Sequence, residues 1–219
     1  PEAGTNAHVA VGGDGSIVVA QWIVDATTPT DQKLKAYRLP ANANVFSPAV
    51  TLYSLTAPFT SQQGITLAGN GAGAFVAGVT VSTGVAAQTQ ALAAYSADGT
   101  TWGPVEPVGA APSTLGEVAL DASGNALATI TGGAQPQSLH RSHFDDAWRT
   151  PTTVPAGAAQ AIGLDLAGNA AVIGTSGSGG DAWGYTVRNG GTGAYSANAP
   201  LGGTGGQAGL AVSPAGDAL

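Results

Sequence analysis

The densest cluster of groups able to hold a metal or move a proton is His140-Arg141-Ser142-His143-Phe144-Asp145-Asp146. Two imidazoles and two carboxylates are enough ligand types for a metal site. On an extended strand, however, residues three apart face opposite sides, so His140 and His143 diverge. His143 with Asp145 leaves two ligands, fewer than a stable zinc site uses. The chain has no Cys, which removes thiolate ligands, cysteine nucleophiles and disulfides. Gly69-Asn70-Gly71-Ala72-Gly73 is glycine-rich, yet no Gly-Lys-Ser/Thr follows and no helix start is predicted there, so it is not a phosphate loop. Serines are frequent, but none stands in a Gly-x-Ser-x-Gly elbow. No cofactor and no metal is expected, and the balance is against catalysis.

Charge and composition narrow the partners. Six basic against thirteen acidic residues give a net charge of −7. Without a Lys or Arg cluster there is little to displace counterions from a phosphate backbone or to hold an anionic membrane surface. No nucleic-acid partner is expected. No apolar run reaches the ~18 to 20 residues of a membrane-spanning helix, so no membrane insertion is expected either. Charged residues make up 9% of the chain, and it holds 34 Gly and 13 Pro, against about 25% charged residues in ordinary domains. Scarce Lys and Glu with abundant Gly argue against exposed helices. The chain begins at Pro1, which reads as a processed product or an excerpt. The low charge and the wealth of Ala, Gly, Ser and Thr resemble exported bacterial proteins, so an extracellular or cell-surface location is expected.

The elements that would position any site are set by a repeat. One marker is an apolar triplet, a small-residue turn and a second apolar run, as in Val9-Ala10-Val11, Asp14-Gly15-Ser16 and Ile17-Val18-Val19-Ala20. Its turn glycines read as Gly15, Gly71, Gly124, Gly168 and Gly216. A second marker is an aromatic shortly before Pro: Phe46 with Pro48, Trp102 with Pro104, Trp148 with Pro151, Tyr195 with Pro200. Both recur every ~40 to 50 residues, a period that fits either paired helices or four-stranded propeller blades. Short segments rich in Val, Ile, Thr and aromatics and bounded by Gly, Asn, Asp and Pro choose strands. A lone four-stranded sheet cannot bury both faces, so the units must stack. The predicted fold is an all-β propeller with blades at about 8–56, 64–109, 117–155 and 161–202, and part of a fifth at 209–219. In the third unit the strands are predicted at Val118 to Leu120, Ala126 to Thr131, Leu139 to Phe144 and Trp148 to Val154. Four blades and a fraction read as a segment of a larger ring.

Within this repeat, Tyr95-Ser96-Ala97-Asp98-Gly99-Thr100-Thr101-Trp102 resembles the Asp-box of sialidases and many other propellers, with the Ser-to-Trp spacing one residue shorter. The stretch Ser142 to Trp148 keeps the Ser and Trp and shifts the acids to Asp145 and Asp146. The chain as a whole resembles a propeller repeat of exported actinobacterial and other bacterial proteins, in which Val-x-x-Asp-x-x-Gly-Asn-Ala precedes the second strand. In such boxes the resemblance implies a structural role, with the carboxylate capping the turn and the Trp packing between strands. Tyr37-Arg38-Leu39-Pro40 is similar to the Arg-Ile-Pro motif that supplies a carboxylate-binding arginine in sialidases. That chemistry needs several converging guanidinium groups, and the remaining Arg141, Arg149 and Arg188 fall in outer strands.

Two functions remain. One is a non-catalytic binding or structural module for a glycan or protein partner; the alternative is a fragment of a sialidase-like glycoside hydrolase. Scarce Glu and the lack of a carboxylate pair favour the first. Propeller ligands sit where the loops before the innermost strands meet. The repeat places His8, Gln63, Glu117, Gln160 and Gln207 immediately before each first strand, a polar set suited to sugar hydroxyls. Trp22 and Trp183 are candidate stacking aromatics, although Trp22 also fits a core position.

Overall fold

In the computed structural model, residues 4–85, 88–133, 135–143, 147–156, 158–165, 167–176, 182–201 and 210 are described. Every regular element among them is a β-strand. The first sheet comprises β1 (Gly4–Val11), β2 (Ile17–Val24), β3 (Gln32–Leu39) and β4 (Val50–Ser54). The second holds β5 (Ser61–Gly69), β6 (Phe75–Ser82), β7 (Thr89–Ser96) and β8 (Glu106–Pro107). The third holds β9 (Thr114–Leu120), β10 (Ala126–Thr131), β11 (Gln137–Arg141) and β12 (Thr152–Thr153), and the fourth β13 (Ala158–Leu164), β14 (Ala170–Ser176), β15 (Ala182–Arg188) and β16 (Ala199–Pro200). Each is a four-stranded meander in sequence order. The chain divides into two compact units, Pro1–Leu115 and Gly116–Leu219. The predicted fifth part, 209–219, lies outside the described residues apart from Leu210.

One turn, built the same way in all four sheets, explains the first repeat marker. The residue at its first position donates its N–H to the carbonyl four residues on: Gly12 to Ser16, Asn70 to Ala74, Asp121 to Asn125, and Asp165 to Asn169, at 2.8–3.0 Å. The fourth position has positive φ and is glycine each time: Gly15, Gly73, Gly124 and Gly168. There a side chain would strain the backbone. In the second sheet this glycine is Gly73, not the expected Gly71. Where the first residue is Asn or Asp, its side-chain oxygen accepts the N–H groups two and four residues on. Asn70 does so from Ala72 and Ala74, Asp121 from Ser123 and Asn125, and Asp165 from Ala167 and Asn169. Gly12 has no side chain to do this, and Asp14 accepts from Ser16 N–H instead at 2.9 Å.

The second marker is equally regular. The residue after each aromatic donates its N–H to the third strand: Ser47 to Arg38, Gly103 to Tyr95, Arg149 to His140 and Ser196 to Val187, at 2.8–2.9 Å. The aromatic thus marks where the chain returns to the sheet. The fourth strands are shorter than expected. In the third sheet the strand foreseen from Trp148 to Val154 contracts to Thr152–Thr153, and the third strand runs from Gln137 rather than Leu139.

Packing between sheets follows alternate residues. In the first unit Ala20, Trp22 and Leu34 meet Ile65, Val79, Val81 and Leu92, while Val18 and Ala36 enclose Phe75. Every residue of β6 is buried, since this strand is covered on both faces. In the second unit Ala119 and Leu127 pack on Leu164 and Ala170, and Val154 and Ala156 on Val172. Each fully buried Val, Leu or Phe contributes about 1.5–3 kcal/mol. The close approach of backbones is why small residues dominate these faces.

Candidate functional site

First strands begin three to five residues earlier than the repeat markers place them, which moves the polar set. His8, Gln63, Glu117 and Gln160 lie inside β1, β5, β9 and β13, not before them. They are not all equivalent either. His8 is in a regular pair with Ala20, whereas Gln63 and Gln160 are bulge residues, skipped in the pairing between Gln62 and Gly64 and between Ala159 and Ala161. The corresponding bulge in the first sheet is Asn6, at φ 54°. A bulge turns one side chain out of the pleat and is a common device for aiming it. Polar amides thus occupy the bulge in three sheets, near the edge where the first strand starts, here called the leading edge. Asn6 was not foreseen, because a bulge shows in pairing and not in hydrophobic spacing. Gln207 lies outside the described residues, as does the side chain of Gln160.

Glu117 is held differently. The Thr129 hydroxyl accepts its N–H at 2.9 Å and donates to its carbonyl at 3.3 Å. Its carboxyl is half-buried, and burial pushes its pKa above the usual value of 4.5. An acid whose folded pKa is raised costs stability as pH rises through the window between the unfolded and folded values. Glu117→Gln is therefore expected to raise the melting temperature at pH 8 and to leave it unchanged at pH 3.5. Thermal unfolding at the two pH values checks this, and equal shifts at both would refute the burial effect.

The two tryptophans part company. Trp22 is 1% exposed, faces the second sheet and donates its ring N–H to Gln32 Oε1 at 3.0 Å. It cannot stack on a ligand, because core packing covers its ring. Trp183 is the second residue of β15, opposite Thr175 at the leading edge of its sheet, on the face that also carries the exposed Tyr185 and Val187. Its placement is compatible with a stacking role.

Two further features of the leading edge escaped sequence reasoning. Gln62 Oε1 is buried and has no hydrogen-bond partner, an unusual state for an acceptor. On the face of the first sheet opposite Trp22, a cleft of about 220 Å³ is lined by Ile23, Val24, Asp25, Ala26, Asp31, Lys33 and Lys35. Lys33 pairs with Asp31 at 2.7 Å. Asp25 accepts the Thr27 hydroxyl and the N–H groups of Thr27 and Thr28. Those bonds hold its carboxyl below 3.8. Only the alternation of Lys33 and Lys35 could have signalled this cleft.

The other motifs serve structure. Ser96 donates to the Thr101 carbonyl at 2.6 Å and accepts from Gly99 N–H at 2.8 Å. Asp98 accepts from the N–H groups of Thr100 and Thr101, each at 2.7 Å. Although desolvation works to raise its pKa, those bonds outweigh it and the value falls below 3.8. Trp102 closes the hairpin against Ser96 and packs on the first sheet's core. Arg38 stands at the end of β3 by the first turn, paired with Asp14 at 3.1 Å, and Arg141 and Arg188 end their own third strands. All three lie at the turn edge, the end of the sheet opposite the leading edge. His140 falls at the end of β11, half-buried, and Asp145 and Asp146 lie outside the described residues. Among the described residues no three of His, Cys, Asp and Glu are grouped as a metal would need.

The fold recurs in solved structures. A protein of unknown function from Dyadobacter fermentans matches with TM-score 0.63 and 14% identity over 97% of this chain and 72% of its own. The NanB sialidase from Streptococcus pneumoniae matches with TM-score 0.61 and 8% identity, over 92% of this chain and 52% of its own. The fold is that of a β-propeller. An ulvan lyase of polysaccharide lyase family PL25 matches with TM-score 0.57 and 11% identity, over 95% and 57%. This propeller chain spans only about half the length of the sialidase and the lyase. No family model and no curated protein matches it. At these identities the likeness is one of fold.

Proposed function

We propose that this chain is a non-catalytic, exported propeller module that binds a glycan at the leading edge of its blades. The observation that carries the reading lies in the first unit: the bulge amides Asn6 and Gln63, with the unpartnered Oε1 of Gln62 next to Gln63. Uncharged groups that both donate and accept suit sugar hydroxyls, and in the second unit Trp183 stands at the leading edge of its own sheet. The sialidase and lyase neighbours support a sugar ligand by analogy of fold. The low Lys and charged content supports export. The catalytic alternative is weaker, because Arg38, Arg141 and Arg188 stand at the turn edge and so do not converge with the amides.

A glycan array probed with the protein tests the reading. Gln62→Ala with Gln63→Ala is expected to weaken retention of the bound glycans about threefold to tenfold, the effect of a lost hydrogen bond or two, without lowering the melting temperature. An array that retains nothing, or a double variant with unchanged affinity, would remove it.

A further inference from the structure

At the turn edge of the second unit, a cleft of about 330 Å³ lies between the third and fourth blades, lined among others by Ser138, His140, Arg149, Thr150, Thr152 and Arg188. Its blade-four wall continues through Gly190 to Gly193, the turn that follows β15. A chain of net charge −7 with four arginines has two of them in this one cleft. The floor is fixed, because the Tyr195 hydroxyl donates to Ser138 Oγ across the two blades at 2.8 Å and Ser138 is 2% exposed.

Arg188 is the unusual member. It is 8% exposed and its guanidinium donates from Nη1 to the Gly168 carbonyl at 3.1 Å. Among the described residues it meets no carboxylate. A buried cation without an anion is costly. By contrast Arg38, near the end of the first blade's third strand, has Asp14. The wall beside it carries no side chain at its nearest point: Gly193 has φ +72°, and a Cβ there would sit 3.4 Å from Arg188 Nη2. With Thr150 and Thr152 exposed on the opposite wall, the cleft offers two guanidinium groups, an imidazole and hydroxyl donors. That is the donor set of an oxyanion site.

We propose that this cleft binds an oxyanion carried by a sugar, a carboxylate or a sulfate ester, with Arg188 as the buried contact and Arg149 as the exposed one. From the glycan-binding reading it takes only that the anion is borne by a sugar. Within the fourth blade the cleft lies at the end of the sheet opposite the bulge between Ala159 and Ala161, and on the outer strands.

Calorimetric titration of the full chain with glucuronate, glucose 6-sulfate, sodium sulfate and, as the neutral control, glucose tests it. Both anionic sugars are expected to bind saturably and glucose is not, with affinity falling as salt rises. Arg149→Ala, at an exposed position, is expected to weaken binding about tenfold with an unchanged melting temperature. Arg188→Gln is expected to abolish binding, and because that variant can also disturb the blade, the Arg149 variant carries the decision. No saturable response to either anionic sugar, or an Arg149→Ala protein with unchanged affinity, overturns the inference. Saturation by sodium sulfate alone overturns the sugar-borne ligand. Neutral glycans retained on the array alongside a silent titration would sink this cleft and leave the leading-edge reading standing. The reverse pattern would sink that reading and support the cleft.

Discussion

Trp22→Ala is expected to destabilise the first unit by about 3–5 kcal/mol, the usual cost of truncating a buried aromatic to Ala. In a chain of this length that corresponds to a fall in melting temperature of roughly 6–20 °C. The indole is 1% exposed and belongs to the cluster that joins the first two sheets through Ala20, Leu34, Ile65, Val79 and Val81. Truncation leaves a cavity bounded by rigid strands, and it also strands Gln32 Oε1, which loses its donor. Trp22→Phe keeps most of the volume and should recover more than half of the loss. Urea unfolding measures both. A Trp22→Ala protein of native stability with altered ligand binding would mean that the ring faces a ligand after all, contrary to its burial.

Gly73→Val is expected to cost about 1–3 kcal/mol, whereas Gly71→Val, two residues away in the same turn, should be near neutral. Gly73 has φ +87°, where a β-branched side chain strains the backbone. Gly71 has no such φ, and a Cβ there would have nothing within 4 Å. The contrast holds composition and location nearly constant, so it isolates the backbone effect. Comparable melting temperatures for the two variants would contradict the turn geometry. Gly124→Val, at φ +86°, should behave as Gly73→Val does.

That pair of glycines also shows how far the repeat could be read. Asn70-Gly71-Ala72-Gly73 offers two glycines to one turn position, and spacing alone does not choose between them. The choice is made by the hydrogen bond from Asn70 N–H to the Ala74 carbonyl, which places the positive-φ residue fourth. In the third and fourth sheets the run Asp-x-x-Gly-Asn has one glycine, and there the reading of Gly124 and Gly168 was direct. The aromatic marker was legible for a similar reason. Its large side chain recurs once in each sheet, and each copy precedes the residue that hydrogen-bonds the third strand.

Composition, period and turn chemistry alone specified an all-β chain of four-stranded units, because these properties are local and are repeated four times. They also showed that the Asp98 hairpin is structural, since Ser, Asp and Gly at that spacing satisfy the turn's own backbone. Tertiary structure alone decided which side chains a ligand could reach. Trp22 and Trp183 both stand in strands, yet one fills the space between two sheets and the other lies, partly exposed, on the face with Tyr185 and Val187. The bulges that distinguish Gln63 from His8 arise from pairing with a second strand. The arginine cleft requires two blades to bring residues 138 to 152 against 188 to 193, a proximity no local pattern encodes.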